Sequence, residues 1–269
     1  MLVCITDLDG TLLDANYSFE EAQPALRELK IRQIPLVLCT SKTRAEAEFY
    51  RLRLDNTHPF IVENGGALYI PENHFPLPIR SAVRRDGYAV IEFGDPYPEI
   101  VQDLLEAAAE SGCTVRGFHQ MSVEEIGTRC NMPPPAAQMA KQREYDEPFE
   151  ILSGDSARLF EAIQKRKRRW TQGGRFYHML GANDKGHCVI LLRHFYERIY
   201  RSVTVVGLGD GLNDAGFLNL TDIPLLLESE KISELHKAVP RGRLCPAGPG
   251  GWNAAVLDVI HDYYSEKGT

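Results

Sequence analysis

Short apolar runs that each end in a polar cluster constrain this chain more than any other feature. Leu2-Val3-Cys4-Ile5, Leu36-Val37-Leu38-Cys39, Pro59-Phe60-Ile61-Val62 and Val203-Thr204-Val205-Val206-Gly207-Leu208-Gly209 all follow that rule. Runs of this length read as buried strands. Helical patterns over residues 19–34 and 44–54 separate the first three, and another over residues 184–200 precedes the fourth. Such alternation predicts an α/β fold with a doubly wound, mostly parallel, Rossmann-like sheet. Right-handed crossovers then bring the carboxyl ends of the strands to one edge, which is where open parallel sheets bind ligands.

The pattern changes near residue 81. Strand candidates at residues 88–93, 149–152 and 174–178, with helical stretches at 98–111 and 156–169, predict an inserted α+β domain over residues 81–180. Pro133-Pro134-Pro135 reads either as a turn or as the start of a helix at Ala136. Residues 1–80 and 181–269 form the expected discontinuous core, completed by a strand over Ile223 to Leu227 and a helix over residues 252–264.

At 269 residues the chain is long enough for two modest domains. Its 43% hydrophobic and 25% charged content is that of a globular protein, so disorder is excluded. A net charge of −7 argues against a nucleic-acid partner. The basic block Lys165-Arg166-Lys167-Arg168-Arg169 lacks interleaved aromatics and reads as a solvated helix end. No apolar stretch approaches the roughly 18 residues of a membrane span, and the chain opens on a strand rather than a leader, so a cytoplasmic location without membrane contact is expected. The six cysteines are scattered and suggest neither a zinc site nor a disulfide framework. Asn16 and Asn219 match a glycosylation pattern that has no meaning in that setting.

Four strand ends deliver polar groups to the expected binding edge: Asp7 and Asp9, then Thr40, Ser41 and Lys42, then Glu63 and Asn64, then Asp210 and Asp214. Convergent carboxylates repel one another without a cation, and an all-oxygen donor set suits a hard ion such as Mg²⁺. Such an ion beside a hydroxyl donor and a lysine is a receptor for a phosphoryl group, which makes phosphoryl transfer the natural reaction class.

Asp7-x-Asp9-x-Thr11, Thr40 after an apolar run, Lys185, and Gly209-Asp210-x-x-Asn213-Asp214 resemble, in order, the four motifs of the haloacid dehalogenase superfamily phosphatases. The insertion is similar to the α/β cap of the subclass that includes sugar-phosphate phosphatases. Several segments narrow the likeness to mannosyl-3-phosphoglycerate phosphatases: Ser41-Lys42-Thr43, Glu63-Asn64-Gly65-Gly66, Arg143 to Glu147, Gly173 to His178, and Gly248 to Trp252. The resemblance implies that Asp7 is the nucleophile, that Asp9 is the acid and base, and that Thr40 and Lys185 hold the phosphoryl group. It implies a metal site of Asp7, Asp9 (through its carbonyl), Asp210 and Asp214, with Asp214 either binding the ion or orienting its neighbours and Asn213 a lesser participant. Ser41, Lys42, Glu63, Asn64, Gly65, Gly66, Arg143, Arg175, Tyr177 and His178 become candidate substrate contacts. Strand alternation pairs Arg175 with Tyr177 and sets His178 opposite. A cap that closes over the substrate and excludes water is expected to choose it. The implied partner is a small phosphorylated glycosyl-glycerate; mannosyl against glucosyl selectivity and oligomeric state stay open. A phosphomutase or broader hexose-phosphate phosphatase, and a phosphosugar-binding regulator without turnover, are the competing readings.

Overall fold

The computed structural model describes residues 1–265. It comprises two compact units: Met1–Thr40 with the chain from Lys185 onward, and Ser41–Asp184. The division falls after Thr40 rather than after residue 80, so the third apolar run belongs to the second unit. The expected core range, 181–269, ends in four residues that lie outside the described ones.

The first unit opens with β1 (Leu2–Thr6), α1 (Gln23–Ile31) and β2 (Leu36–Cys39). The chain then builds the second unit. Its elements are α2 (Arg44–Arg53), β3 (Phe60–Val62), β4 (Ala67–Pro71), β5 (Val83–Arg85), β6 (Tyr88–Glu92), α3 (Tyr97–Ser111) and β7 (Thr114–Gly117). There follow α4 (Val123–Cys130), α5 (Pro134–Ala140), β8 (Asp146–Ser153), α6 (Ser156–Lys165), β9 (Arg169–Gln172) and β10 (Tyr177–Leu180). It returns through α7 (Lys185–Glu197), β11 (Thr204–Gly209), α8 (Ala215–Leu218), β12 (Ile223–Leu227), α9 (Ile232–Ala238), β13 (Arg243–Cys245) and α10 (Gly248–Ser265).

In the first unit the strands run in the order β13-β12-β11-β1-β2, every neighbouring pair parallel. All five residues of β1 and all four of β2 are buried, which is why these strands read as unbroken apolar runs instead of alternating ones. On one face Leu2, Cys4 and Val206 meet Leu29 of α1 and Val256, Val259 and Ile260 of α10. Thr40 is the last residue before the chain leaves this unit, and Lys185 is the first on its return.

The second unit holds two antiparallel arrangements, β3-β4-β6-β5 and β7-β8-β10-β9. Ile100, Leu104 and Ala107 of α3 and Leu159 and Ile163 of α6 pack with Val115, Phe149 and Met179 of the latter sheet. A separate cluster joins Phe118, Met121 and Phe176 to Ile126 of α4 and Ala137 and Ala140 of α5. The triple proline is the start of a helix, with Pro134 and Pro135 in its first turn, where a missing N–H costs nothing.

Two local expectations change. The strand expected at residues 174–178 is β10, Tyr177–Leu180; the residues before it form a turn closed by the Gly173 N–H on the Phe176 carbonyl at 3.1 Å. The basic block spans the end of α6 and the start of β9 instead of ending one helix, and its arginines pair with acids within the unit. Arg166 pairs with Glu106 and Glu110, Arg168 with Asp95, Glu99 and Asp103, and Arg169 with Asp184. Among the described residues no helix is long and apolar enough to cross a membrane.

The entry to α10 depends on a close backbone approach: a Cβ on Gly251 would stand 1.8 Å from the Pro246 carbonyl oxygen. Gly251→Ala is expected to destabilise the protein by at least ~2 kcal/mol, read as a lowered urea midpoint at unchanged slope.

Candidate active site

Asp7 makes the last ladder bond of β1, its N–H donating to the Leu208 carbonyl at 2.9 Å. The chain then folds back, with the Gly10 N–H on the Leu13 carbonyl at 3.0 Å and the Leu13 N–H on the Leu8 carbonyl at 2.8 Å. Gly10 sits at φ +77°, and a Cβ there would lie 2.4 Å from Asp210 Oδ2, so both the turn and the close approach demand glycine. Thr11 Oγ1 donates to Asp210 Oδ1 at 2.8 Å, while the Asp210 carbonyl accepts from Ser229 Oγ at 2.8 Å. The loops after β1 and β11 are thereby laced together around Asp210.

Lys185, the first residue of α7, is 1% exposed and places Nζ 2.7 Å from Asp7 Oδ1 and 2.6 Å from Asp214 Oδ1. Asp214 Oδ2 accepts the N–H groups of Asp210 at 3.1 Å and Gly211 at 3.0 Å. Asp214 therefore orients its neighbours with both oxygens. Burial disfavours the charged ammonium, yet Asp214 and Asp7 hold Lys185 well above the ordinary lysine range. Burial pushes Asp7 well above the carboxylate range; Lys185 opposes that, and Asp214 and Asp210 add to it. Burial and then Asp214 push Asp210 up to about 7. One ammonium thus faces three carboxylates, a deficit that a cation would fill.

Asp7, Asp210 and Asp214 each offer an oxygen, all within 4.8 Å of one another. This donor set, hard and anionic, fits Mg²⁺. The Asp9 carboxylate is not in that group and is only partly buried, whereas Thr40 is fully buried at the end of β2. Asn213 is half-buried in the turn that carries Asp214.

A positioning chain behind Asp7 escaped the sequence reading. Trp252 Nε1 donates to Thr6 Oγ1 at 2.9 Å, and Thr6 Oγ1 donates to the Asp7 carbonyl at 2.8 Å, all of it buried. The hydroxyl takes over as donor where the chain turns out of the sheet, which fixes the direction of the Leu8-Asp9 segment. Only the Gly248 to Trp252 segment hinted at it, and 246 residues separate the partners.

The remaining candidates lie in the second unit. Glu63, Asn64 and Gly65 occupy a left-handed turn, at φ +45°, +55° and +85°. The fully buried Glu63 carboxylate accepts three backbone N–H groups, from Glu144, Tyr145 and Asp146, at 2.8 to 3.1 Å. Asn64 Nδ2 donates to Asp146 Oδ2 at 2.8 Å. The Gly66 carbonyl accepts from Phe93 and Gly94, and a Cβ on Gly66 would meet Tyr145 Cβ at 2.4 Å. Lys42 is buried 3.4 Å from Glu46. Arg143 is buried too, with Nη1 on the Ser41 carbonyl at 2.8 Å and Nη2 3.2 Å from Asp146 Oδ1. Arg175 is exposed and donates to the Arg129 carbonyl. Tyr177 packs against Phe149, Phe160 and Trp170 on the helix-covered face, while His178, 3.1 Å from Asp146 Oδ2, occupies the other face. The structure therefore separates Arg175 and Tyr177, which strand alternation had paired, because β10 begins only at Tyr177.

Two expectations follow from this geometry. Thr6→Val keeps the shape of Thr6 but removes its hydroxyl; it is expected to lower turnover about tenfold, with Thr6→Ser close to wild type, in steady-state assays. Because Asp210 binds its proton more tightly folded than unfolded, its contribution to metal-free stability is complete below about pH 4 and fades as pH rises through about 7. Mg²⁺ competes with that proton, so the melting-temperature gain from Mg²⁺ is expected to be larger at pH 8 than at pH 5.5.

A model of the haloacid dehalogenase-like hydrolases matches residues 4–78. The glucosyl-3-phosphoglycerate/mannosyl-3-phosphoglycerate phosphatase of Methanococcoides burtonii is 38% identical over 96% of this chain and 97% of its own length. The mannosyl-3-phosphoglycerate phosphatase of Pyrococcus furiosus is 37% identical over 84% of this chain and 90% of its own. In fold, the chain matches the sucrose-phosphatase of Synechocystis sp. PCC6803 with a TM-score of 0.61 at 14% identity, covering 96% of this chain and 97% of that one. With the carboxylates at the strand ends of the first unit and Lys185 at the start of α7, where the family motifs fall, the chain belongs to the haloacid dehalogenase superfamily as a phosphoric monoester hydrolase of the mannosyl-3-phosphoglycerate phosphatase-like kind.

Proposed function

We propose that the protein hydrolyses mannosyl-3-phosphoglycerate to mannosylglycerate, a compatible solute, and inorganic phosphate, through a phosphoryl group carried on Asp7. The observation that carries the chemistry is Lys185, bonded to the buried Asp7 and Asp214 within a group of three carboxylates completed by the half-buried Asp210. The substrate rests on relatives 37–38% identical over nearly the full chain whose names state that activity.

An Asp7 oxygen attacks phosphorus, an Asp7–phosphorus bond forms, and the bond from phosphorus to the glycerate oxygen breaks as Asp9 gives that oxygen a proton. Asp9, now ionised, takes a proton from water as the water oxygen attacks phosphorus; the bond to Asp7 breaks and phosphate departs. Lys185 favours the ionised form of Asp7 against its burial and faces the transferring group, and Thr40 holds a phosphoryl oxygen. Asp7, Asp210 and the Asp9 carbonyl would hold Mg²⁺, with Asp214 setting the Asp210 loop, and the bound ion would neutralise charge on the phosphoryl oxygens. The second unit selects the substrate.

Glucosyl-3-phosphoglycerate is the second reading, favoured by the relatives of Methanococcoides burtonii and Persephonella marina, whose names give both sugars. Phosphate release from the mannosyl and glucosyl esters and from simple hexose phosphates decides the matter. The glycosyl-glycerate esters are expected to lead, chelator to abolish release, and Asp7→Asn to lower kcat on the order of 10³-fold or more. A lead for simple hexose phosphates, or release indifferent to magnesium, would overturn this reading.

A further inference from the structure

The second unit contains a histidine organised for recognition. His178 lies in β10 opposite Pro148 of β8 and Thr171 of β9, on the sheet face away from α3 and α6. Its Nδ1 is 3.1 Å from Asp146 Oδ2. Asp146 is fully buried and additionally held by Asn64 Nδ2 at 2.8 Å and Arg143 Nη2 at 3.2 Å. Despite burial, the Arg143 guanidinium and the hydrogen bonds from His178 and Asn64 keep Asp146 below the ordinary carboxylate range, so it is ionised and can only accept. The hydrogen bond therefore assigns the proton to Nδ1, and in the neutral ring Nε2 carries a lone pair.

That second nitrogen has no hydrogen-bond partner among the described residues. It faces a gap left by glycine. A Cβ on Gly173 would stand 3.2 Å from Nε2 and 3.6 Å from Cδ2, and a Cβ on Gly174 would meet nothing within 4 Å. Gly173 does not use a left-handed backbone, so its turn needs no glycine for conformational reasons; the missing side chain keeps Nε2 open.

We propose that His178 Nε2 accepts a hydrogen bond from a hydroxyl of the substrate's sugar, and that Asp146 is the positioning residue that fixes the tautomer. This rests on the glycosyl-phosphoglycerate reading above and names the group that reads the glycosyl part. A lone pair suits a hydroxyl donor, whereas the glycerate carboxylate, an acceptor, would find no proton at Nε2. The arrangement resembles the way a buried carboxylate sets a metal-ligating or catalytic imidazole, here turned to selection.

The intact protein is assayed with mannosyl-3-phosphoglycerate and with 3-phosphoglycerate, which has the phosphate and the glycerate but no sugar. In Gly173→Ala, His178→Gln and Asp146→Asn the ratio of kcat/KM between the two is expected to fall about tenfold, the size of one hydrogen bond, chiefly through KM for the glycosyl ester. In the labelled wild-type protein, adding mannosylglycerate should shift the His178 Nε2 resonance in nitrogen NMR, a response that a purely structural histidine would not give. If wild type turns over neither glycosyl ester, the functional reading fails. If it does, and the ratio in Gly173→Ala and His178→Gln stays within twofold of wild type, or Nε2 does not respond, the assignment of His178 is overturned. Should Asp146→Asn not fold, the glycine variant and the resonance still decide.

Discussion

The buried ammonium of Lys185 is the constraint on which the first unit depends. Asp7, Asp210 and Asp214 could not share so small a volume as anions without it, because charge repulsion grows steeply as water is removed. A buried charge is costly unless it is paired and hydrogen-bonded, and Lys185 is paired with two carboxylates at 2.7 and 2.6 Å. What it leaves unbalanced is the more informative part. Burial raises Asp7 and Asp210, the neighbouring carboxylates add to it, and that excess is one a divalent ion would offset. Structure and chemistry here have one electrostatic origin.

The second unit has its own buried polar centre, built on backbone conformations that side chains rarely adopt. Glu63 and Asn64 sit in the left-handed region, each at a cost of about 1 kcal/mol or more. Three amides on the Glu63 carboxylate and the Asn64 bond to Asp146 offset that strain. Burial pushes Glu63 up to about 8, with Arg143 and the amides drawing it back. Strain retained in this way fixes Asp146, and through Asp146 the ring of His178.

How much of this was legible depended on the range of the interactions. β1, β2, β11 and β12 were plain in the sequence because strands covered on both faces are apolar throughout, and their ends carried Asp7, Thr40 and Asp210. Lys185 needed the company of its motif, since a lysine opening a helix looks like any solvent-facing one. β9, Arg169–Gln172, was hidden because a basic block reads as a helix end, and the ion pairs of the adjoining Arg168 to Glu99 and Asp103 of α3 come from far along the chain. Moving the start of β10 from residue 174 to Tyr177 took Arg175 out of the strand and away from Tyr177, for a strand's boundary decides which residues belong to its faces at all. Thr6 and Trp252 show no local sign of their bond.

Thr40 and Lys185 stand at the two points where the chain passes between units. Every residue implied in the phosphoryl chemistry is therefore numbered outside the stretch they enclose. Insertions, deletions or wholesale replacement within residues 41–184 leave the spacing of Asp7, Asp9 and Thr40, and that of Lys185, Asp210 and Asp214, untouched. That block can be rewritten as one continuous piece while the residues implied in the reaction stay encoded in the flanks.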